Sequence, residues 1–159
     1  MGKDRTKTAC FTGHRQLSSK KIQAIVTKLA AEVDRLIQEG VTTFISGGAI
    51  GFDQIAASMI ATKKEMGVDV RLIMALPHHG QDEHWTAREK ELYNYLLSAA
   101  DEVIYVSETY SHDCMKKRNH YMVDHSEYCI CAFIKDISGT GQTVRYAKQM
   151  QRQIINVAK

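Results

Sequence analysis

Two stretches of this chain, Thr12-Gly13-His14-Arg15 and Ser46-Gly47-Gly48-Ala49-Ile50-Gly51-Phe52-Asp53, each close a short β-branched or aromatic run and open an amphipathic helical pattern. A strand that turns through glycine into a helix belongs to alternating β/α architectures, and two such units in series narrow the fold more than composition does. The turn also carries chemistry. Backbone N–H groups at a helix start lack intrahelical partners, the helix dipole favours an anion there, and glycine lets another group come close. A nucleotide-like ligand is therefore the first expectation.

The rest of the chain repeats the alternation. Thr8 to Thr12 reads as a strand, and Ser18 or Ser19 can cap a helix whose apolar positions Ile22, Ile25, Val26, Leu29, Val33 and Leu36 recur every three or four residues up to Gly40. Thr43 to Ser46 is a second strand, followed by a helix from Asp53 to about Glu65 that Gly67 stops. Val70 to Leu76 is an apolar strand covered on both faces, ended by Pro77. A polar loop through Trp85 leads to a helix reaching Ala99, and a fourth strand spans Glu102 to Val106. A helix from about Cys114 to His125, a strand from Tyr128 to Ile134, a loop over Lys135 to Gln142, a helix from Thr143 to Gln151 and a strand from Ile154 to Val157 complete the order. This pattern predicts one domain over 1–159, an α/β Rossmann-like, doubly wound, mostly parallel sheet with helices on both faces. In such sheets ligands bind outside the carboxyl ends of the strands, where strand order reverses. The loops at those ends hold nearly all of the unusual residues.

Length and composition agree with that reading. A chain of 159 residues can bury about 68–70% of its unfolded surface, enough for a core without staples. The net charge of +3 is mild, and only Lys116-Lys117-Arg118 forms a basic run, so nucleic acid is not the expected partner. Cys10, Cys114, Cys129 and Cys131 lack C-x-x-C spacing and read as reduced core thiols. The opening residues lack a signal-peptide pattern and no apolar run approaches the ~18 residues of a membrane span, so a cytosolic protein with no membrane partner is expected. Apolar helix faces permit a homodimer without requiring one.

Each constellation has a chemical reading. Gly47-Gly48-Ala49-Ile50-Gly51 lacks the Walker lysine and the G-x-G-x-x-G spacing, which leaves anion or sugar binding. Asp53 would repel a phosphate, so it either accepts from ribose hydroxyls or caps the helix. Arg15 offers a planar fork to phosphate, and His14 either donates to the same anion or caps. Arg118 and Asn119 sit in the half of their helix nearer the crevice and can reach ligand. Trp85 either stacks on a base or packs a helix start. Ser138-Gly139-Thr140-Gly141-Gln142-Thr143 forms a second phosphate-type turn whose hydroxyl serves a phosphate or caps the helix. His78, His79 and His84, with Asp82 and Glu83, show no metal-ligand spacing, and neither metal nor cofactor is expected.

Four motifs in order, Phe11-Thr12-Gly13-His14-Arg15, Ser46 through Asp53, Arg118-Asn119-His120-Tyr121-Met122-Val123-Asp124 and Gly139-Thr140-Gly141-Gln142-Thr143-Val144-Arg145-Tyr146-Ala147, resemble the bacterial YpsA-type family of the SLOG superfamily. The resemblance implies a Rossmann-like fold. It also implies kinship with phosphoribohydrolases that release a base from a nucleotide, with the single-stranded-DNA-binding protein DprA, and with sensor domains for NAD-derived or ADP-ribose-like signals. The phosphoribohydrolase motif P-G-G-x-G-T-x-x-E is not reproduced, because Arg145 or Tyr146 stands where its glutamate is expected. The chain is thus expected to bind a nucleotide or ADP-ribose-type ligand, with Gly13, His14, Arg15, Gly47, Gly48, Gly51, Asp53, Trp85, Arg118, Asn119, Gly139, Thr140, Gly141 and Thr143 around it. One alternative is an N-glycoside hydrolase using Asp53 or Glu83; another is DprA-like binding of single-stranded nucleic acid.

Overall fold

The computed structural model describes residues 7–134 and 139–159. Among these residues five helices alternate with six strands: β1 Lys7–Gly13, α1 Ser19–Gln38, β2 Val41–Ser46, α2 Phe52–Glu65, β3 Arg71–Leu76, α3 Ala87–Ala99, β4 Glu102–Tyr105, α4 Cys114–Asp124, β5 Tyr128–Ala132, α5 Gly139–Gln149 and β6 Gln153–Asn156. The strands form a single sheet in the order β4-β3-β2-β1-β5-β6. Every pairing is parallel, so the expected mostly parallel sheet is wholly so.

Period-two patterning divides the strand side chains between two cores. Ala9 and Phe11 of β1, Phe44 of β2, Leu72, Met74 and Leu76 of β3 and Ile130 of β5 point to the face covered by α1, α2 and α3. Cys10, Ile45, Ala75 and Cys129 point to the face covered by α4 and α5. Helix α1 shows how the sequence dictates the packing: Ile25, Leu29, Val33 and Leu36 recur on one stripe, and all four are buried. Helix α3 starts at a capping box in which the Glu89 N–H donates to Thr86 Oγ1 at 3.2 Å and the Thr86 N–H to Glu89 Oε1 at 2.9 Å. All four cysteines are buried and free, as thiols packed into the apolar layers. No helix among the described residues is long and apolar enough to cross a membrane.

Most element boundaries fall within two residues of those read from sequence, and two differences bear on the site. Strand β5 stops at Ala132 rather than Ile134, because the side chain of Asn156 takes over the ladder: the Phe133 N–H donates to Asn156 Oδ1 and Asn156 Nδ2 donates to the Phe133 carbonyl, both at 3.1 Å. Helix α5 begins at Gly139, four residues before the expected start at Thr143. Gly139-Thr140-Gly141 is therefore the first helical turn and not a loop. Thr143 Oγ1 donates back to the Gly139 carbonyl at 2.9 Å, a bond that only an already formed turn allows. Lys135 to Ser138, the first part of the expected loop, lie outside the described residues.

The topology places the site. From β1 the chain adds β2, β3 and β4 outward on one side, then crosses back to lay β5 against the other edge of β1. Strand order reverses between β1 and β5, so the loops leaving them diverge and open a crevice at their carboxyl ends.

Candidate functional site

A cavity of about 340 Å³ fills that crevice. Thr12, Gly13, His14 and Arg15 line it from the end of β1, Ala49 and Asp53 from the turn into α2, Met115, Arg118 and Asn119 from α4, and Gly139 and Thr140 from the start of α5. Four of the chain's segments, far apart in sequence, meet there.

The glycines of the turn before α2 serve the protein itself. Gly48 and Gly51 have φ of +72° and +98°, a backbone region that L side chains rarely adopt. A Cβ on Gly51 would lie 2.3 Å from the Arg15 carbonyl oxygen, and one on Gly47 would lie 2.5 Å from Arg118 Nη1. At Gly13 the obstacle would be the Phe52 ring at 2.5 Å, and at Gly48 the side chains of Met74, Leu76 and Tyr93 at 3.0–3.1 Å. Gly47, Gly48 and Gly51, expected to admit a ligand, thus admit neighbouring protein groups, and of the four only Gly13 lines the crevice. The turn is knitted by Ser46, whose Oγ donates to the Asp53 carbonyl at 2.9 Å and accepts the Gly48 N–H at 3.2 Å. Gln54 Nε2 donates to the Gly48 carbonyl at 3.2 Å and Gln81 Nε2 to that of Gly47 at 3.3 Å.

Gly47 makes room for Arg118, which is only 4% exposed. It lies in the buried stripe Cys114, Arg118, Met122 at i, i+4 and i+8 of α4, so the helix period carries a cation into the core. Its Nη1 donates to the Gly47 carbonyl at 2.7 Å, and its Nε donates to Asn119 Oδ1 at 2.8 Å. Burial pulls its pKa down while the nearby Asp53 charge opposes the fall.

Asp53 is the other buried charge, 6% exposed in the first turn of α2. Burial pushes its carboxyl up to about 6, against the pull of Arg118 and of hydrogen bonds from the backbone N–H groups of Ala49 and Gly13. Oδ1 has no hydrogen-bond partner among the described residues. A buried carboxylate oxygen without a donor is costly, and here it belongs to a residue that lines the cavity.

The remaining expected residues fall into place around this pair. His14 lines the crevice and also braces it: its Nε2 accepts the Ile134 N–H at 3.0 Å, and its carbonyl accepts the Phe52 N–H at 3.2 Å. Arg15 is exposed at the rim. Gly141 and Thr143 are buried in α5 away from this cavity, and Thr143 lines a neighbouring groove. Trp85 lies edge-on to Tyr93 with ring centroids 4.9 Å apart and packs on the core, while Glu83 is exposed; neither lines the crevice. The histidine-rich loop is tied up in rings, His79 stacked on Tyr105 and His78 edge-on to Tyr110. Among the described residues no group of three or more His, Cys, Asp or Glu side chains could hold a metal ion. Thr12, Ala49 and Met115 were not expected at the site. Thr12 carries a usable signal, a hydroxyl at the carboxyl end of a central strand, whereas nothing local marks Met115.

Chemically, the crevice combines two helix starts and two guanidinium groups with one carboxylate, one oxygen of which has no donor among the described residues. It suits a ligand bearing both an anion and a hydroxyl.

The comparisons with known proteins fit this architecture. The chain is 36% identical over 135 residues to the uncharacterized SPbeta prophage-derived protein YoqJ of Bacillus subtilis, covering 77% of this chain and 79% of that protein. It is 21% identical over 137 residues to a UPF0398 protein of Bacillus thuringiensis, covering 85% and 74% respectively. Among solved structures, the DNA processing protein A of Streptococcus pneumoniae superposes with a TM-score of 0.66 at 17% identity, over 94% of this chain but 49% of that one. The Helicobacter pylori counterpart, solved to describe its single-stranded DNA binding mode, gives a TM-score of 0.66 at 19% identity over 95% and 65%. The chain thus spans between half and two thirds of these structural neighbours, and the likeness is one of fold. The model of the YspA SLOG family matches residues 10–157, and the chain belongs to that family.

Proposed function

We propose that the crevice binds a nucleotide-like ligand, of the ADP-ribose or mononucleotide kind, and acts as a sensor or regulatory site. The observation that carries this reading is Asp53 Oδ1, an acceptor with no donor among the described residues, in a side chain that lines the cavity. A sugar hydroxyl donating to it would offset the cost of burying an acceptor without a donor. Arg15 and the first turn of α5, with the N–H groups and hydroxyl around Gly139 and Thr140, would hold a phosphate. Gly13 gives close access, Arg118 balances Asp53, and Asn119 positions Arg118 while presenting its amide to the ligand. Gly47, Gly48 and Gly51 support the site from behind.

Calorimetric titration with AMP, ADP-ribose and NAD tests this directly, with Asp53→Asn as the control. The reading expects saturable binding that the substitution weakens at least tenfold and no release of base from any ligand. Absence of binding by wild type would refute it, and base release abolished by Asp53→Asn would make the protein an N-glycoside hydrolase instead.

A second reading comes from the fold neighbour whose structure describes single-stranded DNA binding. A nucleic-acid strand presents the same phosphates and sugars, and its affinity would fall steeply with salt. A shallow salt dependence would separate the small-molecule site from this one.

A further inference from the structure

A second cavity begins where the crevice ends. A groove of about 370 Å³ runs between α4 and α5, lined by Lys116, Asn119 and His120 on one side and by Gln142, Thr143, Arg145, Tyr146 and Gln149 on the other. Asn119 lines both cavities, and α5 passes from one to the other within a single turn, Gly139 and Thr140 in the crevice and Gln142 and Thr143 in the groove. The groove follows α5 for about 10 Å, at 1.5 Å per residue from Gln142 to Gln149.

Its chemistry is one-sided. Lys116 and Arg145 are exposed along it, and no carboxylate is among the described residues that line it. The adjacent Asp124 is engaged by the Tyr146 hydroxyl at 2.7 Å. Between the cations, the half-buried rings of His120 and Tyr146 stack with centroids 3.7 Å apart and planes 4° from parallel, which gives the groove a flat aromatic element. Phosphate-binding cations beside a flat ring are the pairing that a nucleotide needs. Each cavity alone lies near the lower end of the roughly 300–1,000 Å³ of small-molecule sites, so one nucleotide fills one of them.

We infer that the groove between α4 and α5 is the second subsite of the crevice, and that the ligand consists of two nucleotide units joined through phosphate. The first unit lies at Asp53 and the second passes Asn119 to lie along Lys116, Arg145 and the His120–Tyr146 pair. This rests on the nucleotide reading of the crevice. A free dinucleotide and a single strand of nucleic acid share the required chemistry.

The test compares AMP, the dinucleotide pApA and an oligo(dA) strand by calorimetry on the full chain, in wild type and in the double variant Lys116→Glu, Arg145→Glu. The inference expects pApA to bind wild type at least about tenfold more tightly than AMP, and the variant to lose that gain while AMP affinity and melting temperature stay unchanged. Lys116→Ala alone should lose part of the gain, which guards against a folding defect in the double variant. Equal affinities for pApA and AMP, or a gain that survives both substitutions, would overturn the second subsite and leave the crevice reading standing. Failure of all three ligands to bind would overturn both. Oligo(dA) binding more tightly than pApA, with a salt slope reduced by about 1.4 in the variant, identifies a strand as the source; equal affinity identifies a free dinucleotide.

Discussion

Replacing Asp53 by asparagine should stabilise the protein at neutral pH and silence its site, and both effects follow from the same oxygen. Burial raises the carboxyl from 3.8 to about 6. In the unfolded chain the group ionises near its ordinary value, so below pH 4 both states are protonated and nothing is lost on folding. As pH rises from about 4 to about 6 the unfolded state gives up its proton first, and the folded state becomes progressively less favoured. Above about 6 the cost is constant. A rise of roughly two pH units, at 1.36 kcal/mol per unit, sets it at about 3 kcal/mol. Asparagine carries no charge, keeps an oxygen for the Gly13 and Ala49 N–H groups, and turns its NH2 toward the crevice in place of the oxygen that lacks a donor. Residual mismatch of that amide would return part of the gain, so about 1–3 kcal/mol is expected at pH 8 and only a small fraction of that at pH 4. For a domain of this size that is roughly 2–12 °C in melting temperature. Urea unfolding of wild type and variant in parallel at pH 4, 6 and 8 reads the difference free of all other titrating groups. A variant less stable than wild type at pH 8, or a difference that does not grow with pH, would refute the reasoning. Ligand affinity in wild type should correspondingly decline as pH falls through about 6, because the protonated carboxyl no longer presents the anionic acceptor.

Arg118→Met should destabilise by about 3–5 kcal/mol, because it strips the buried Asp53 of its counter-charge and the Gly47 carbonyl of a donor; two-dimensional NMR of the carboxyl should then place the Asp53 pKa above its wild-type value. Arg15→Ala should leave the melting temperature unchanged, since the side chain is exposed, yet weaken phosphate-bearing ligands by about tenfold or more in a titration. Gly48→Val should lower the melting temperature even without ligand, because a branched side chain at φ +72° would meet Met74, Leu76 and Tyr93; a turn that merely faces a ligand would lose binding with its stability intact.

The alternation of strands and helices was legible because hydrophobic period and helix caps are local properties, visible within a dozen residues of α1 or β3. The place of the site was legible one step further, since order reversal in a parallel sheet directs ligands to the strand ends whatever the side chains are. What stayed hidden was long-range. Gly47 and Arg118 are 71 positions apart, and only their contact shows that the glycine is small for the arginine's sake. The start of α5 was hidden for the opposite reason. Gly139-Thr140-Gly141 has the local composition of a loop, and the buried Thr140, Gly141 and Thr143 join a helix whose register is set by packing on β5 and β6.

These observations also bear on why the turn before α2 is built as it is. A chain selected only to fold would not place Arg118 and Asp53, both nearly dry, on either side of a three-glycine turn, because two buried charges cost more to desolvate than their attraction returns. Gly47 removes the side chain that would exclude the guanidinium, and Gly51 removes the one that would strike the Arg15 carbonyl. Gly47 thereby admits the guanidinium and Gly51 the Arg15 backbone, both at a cost in backbone rigidity. The arrangement leaves one carboxylate oxygen with no donor among the described residues, in a residue lining a cavity whose other walls favour anions. A structural ion pair would have closed on itself, with Arg118 donating to Asp53. Here the arginine is turned to the Gly47 carbonyl and Asn119, and Asp53, which lines the crevice, keeps an acceptor that no described residue engages, an arrangement suited to a hydroxyl supplied by a ligand.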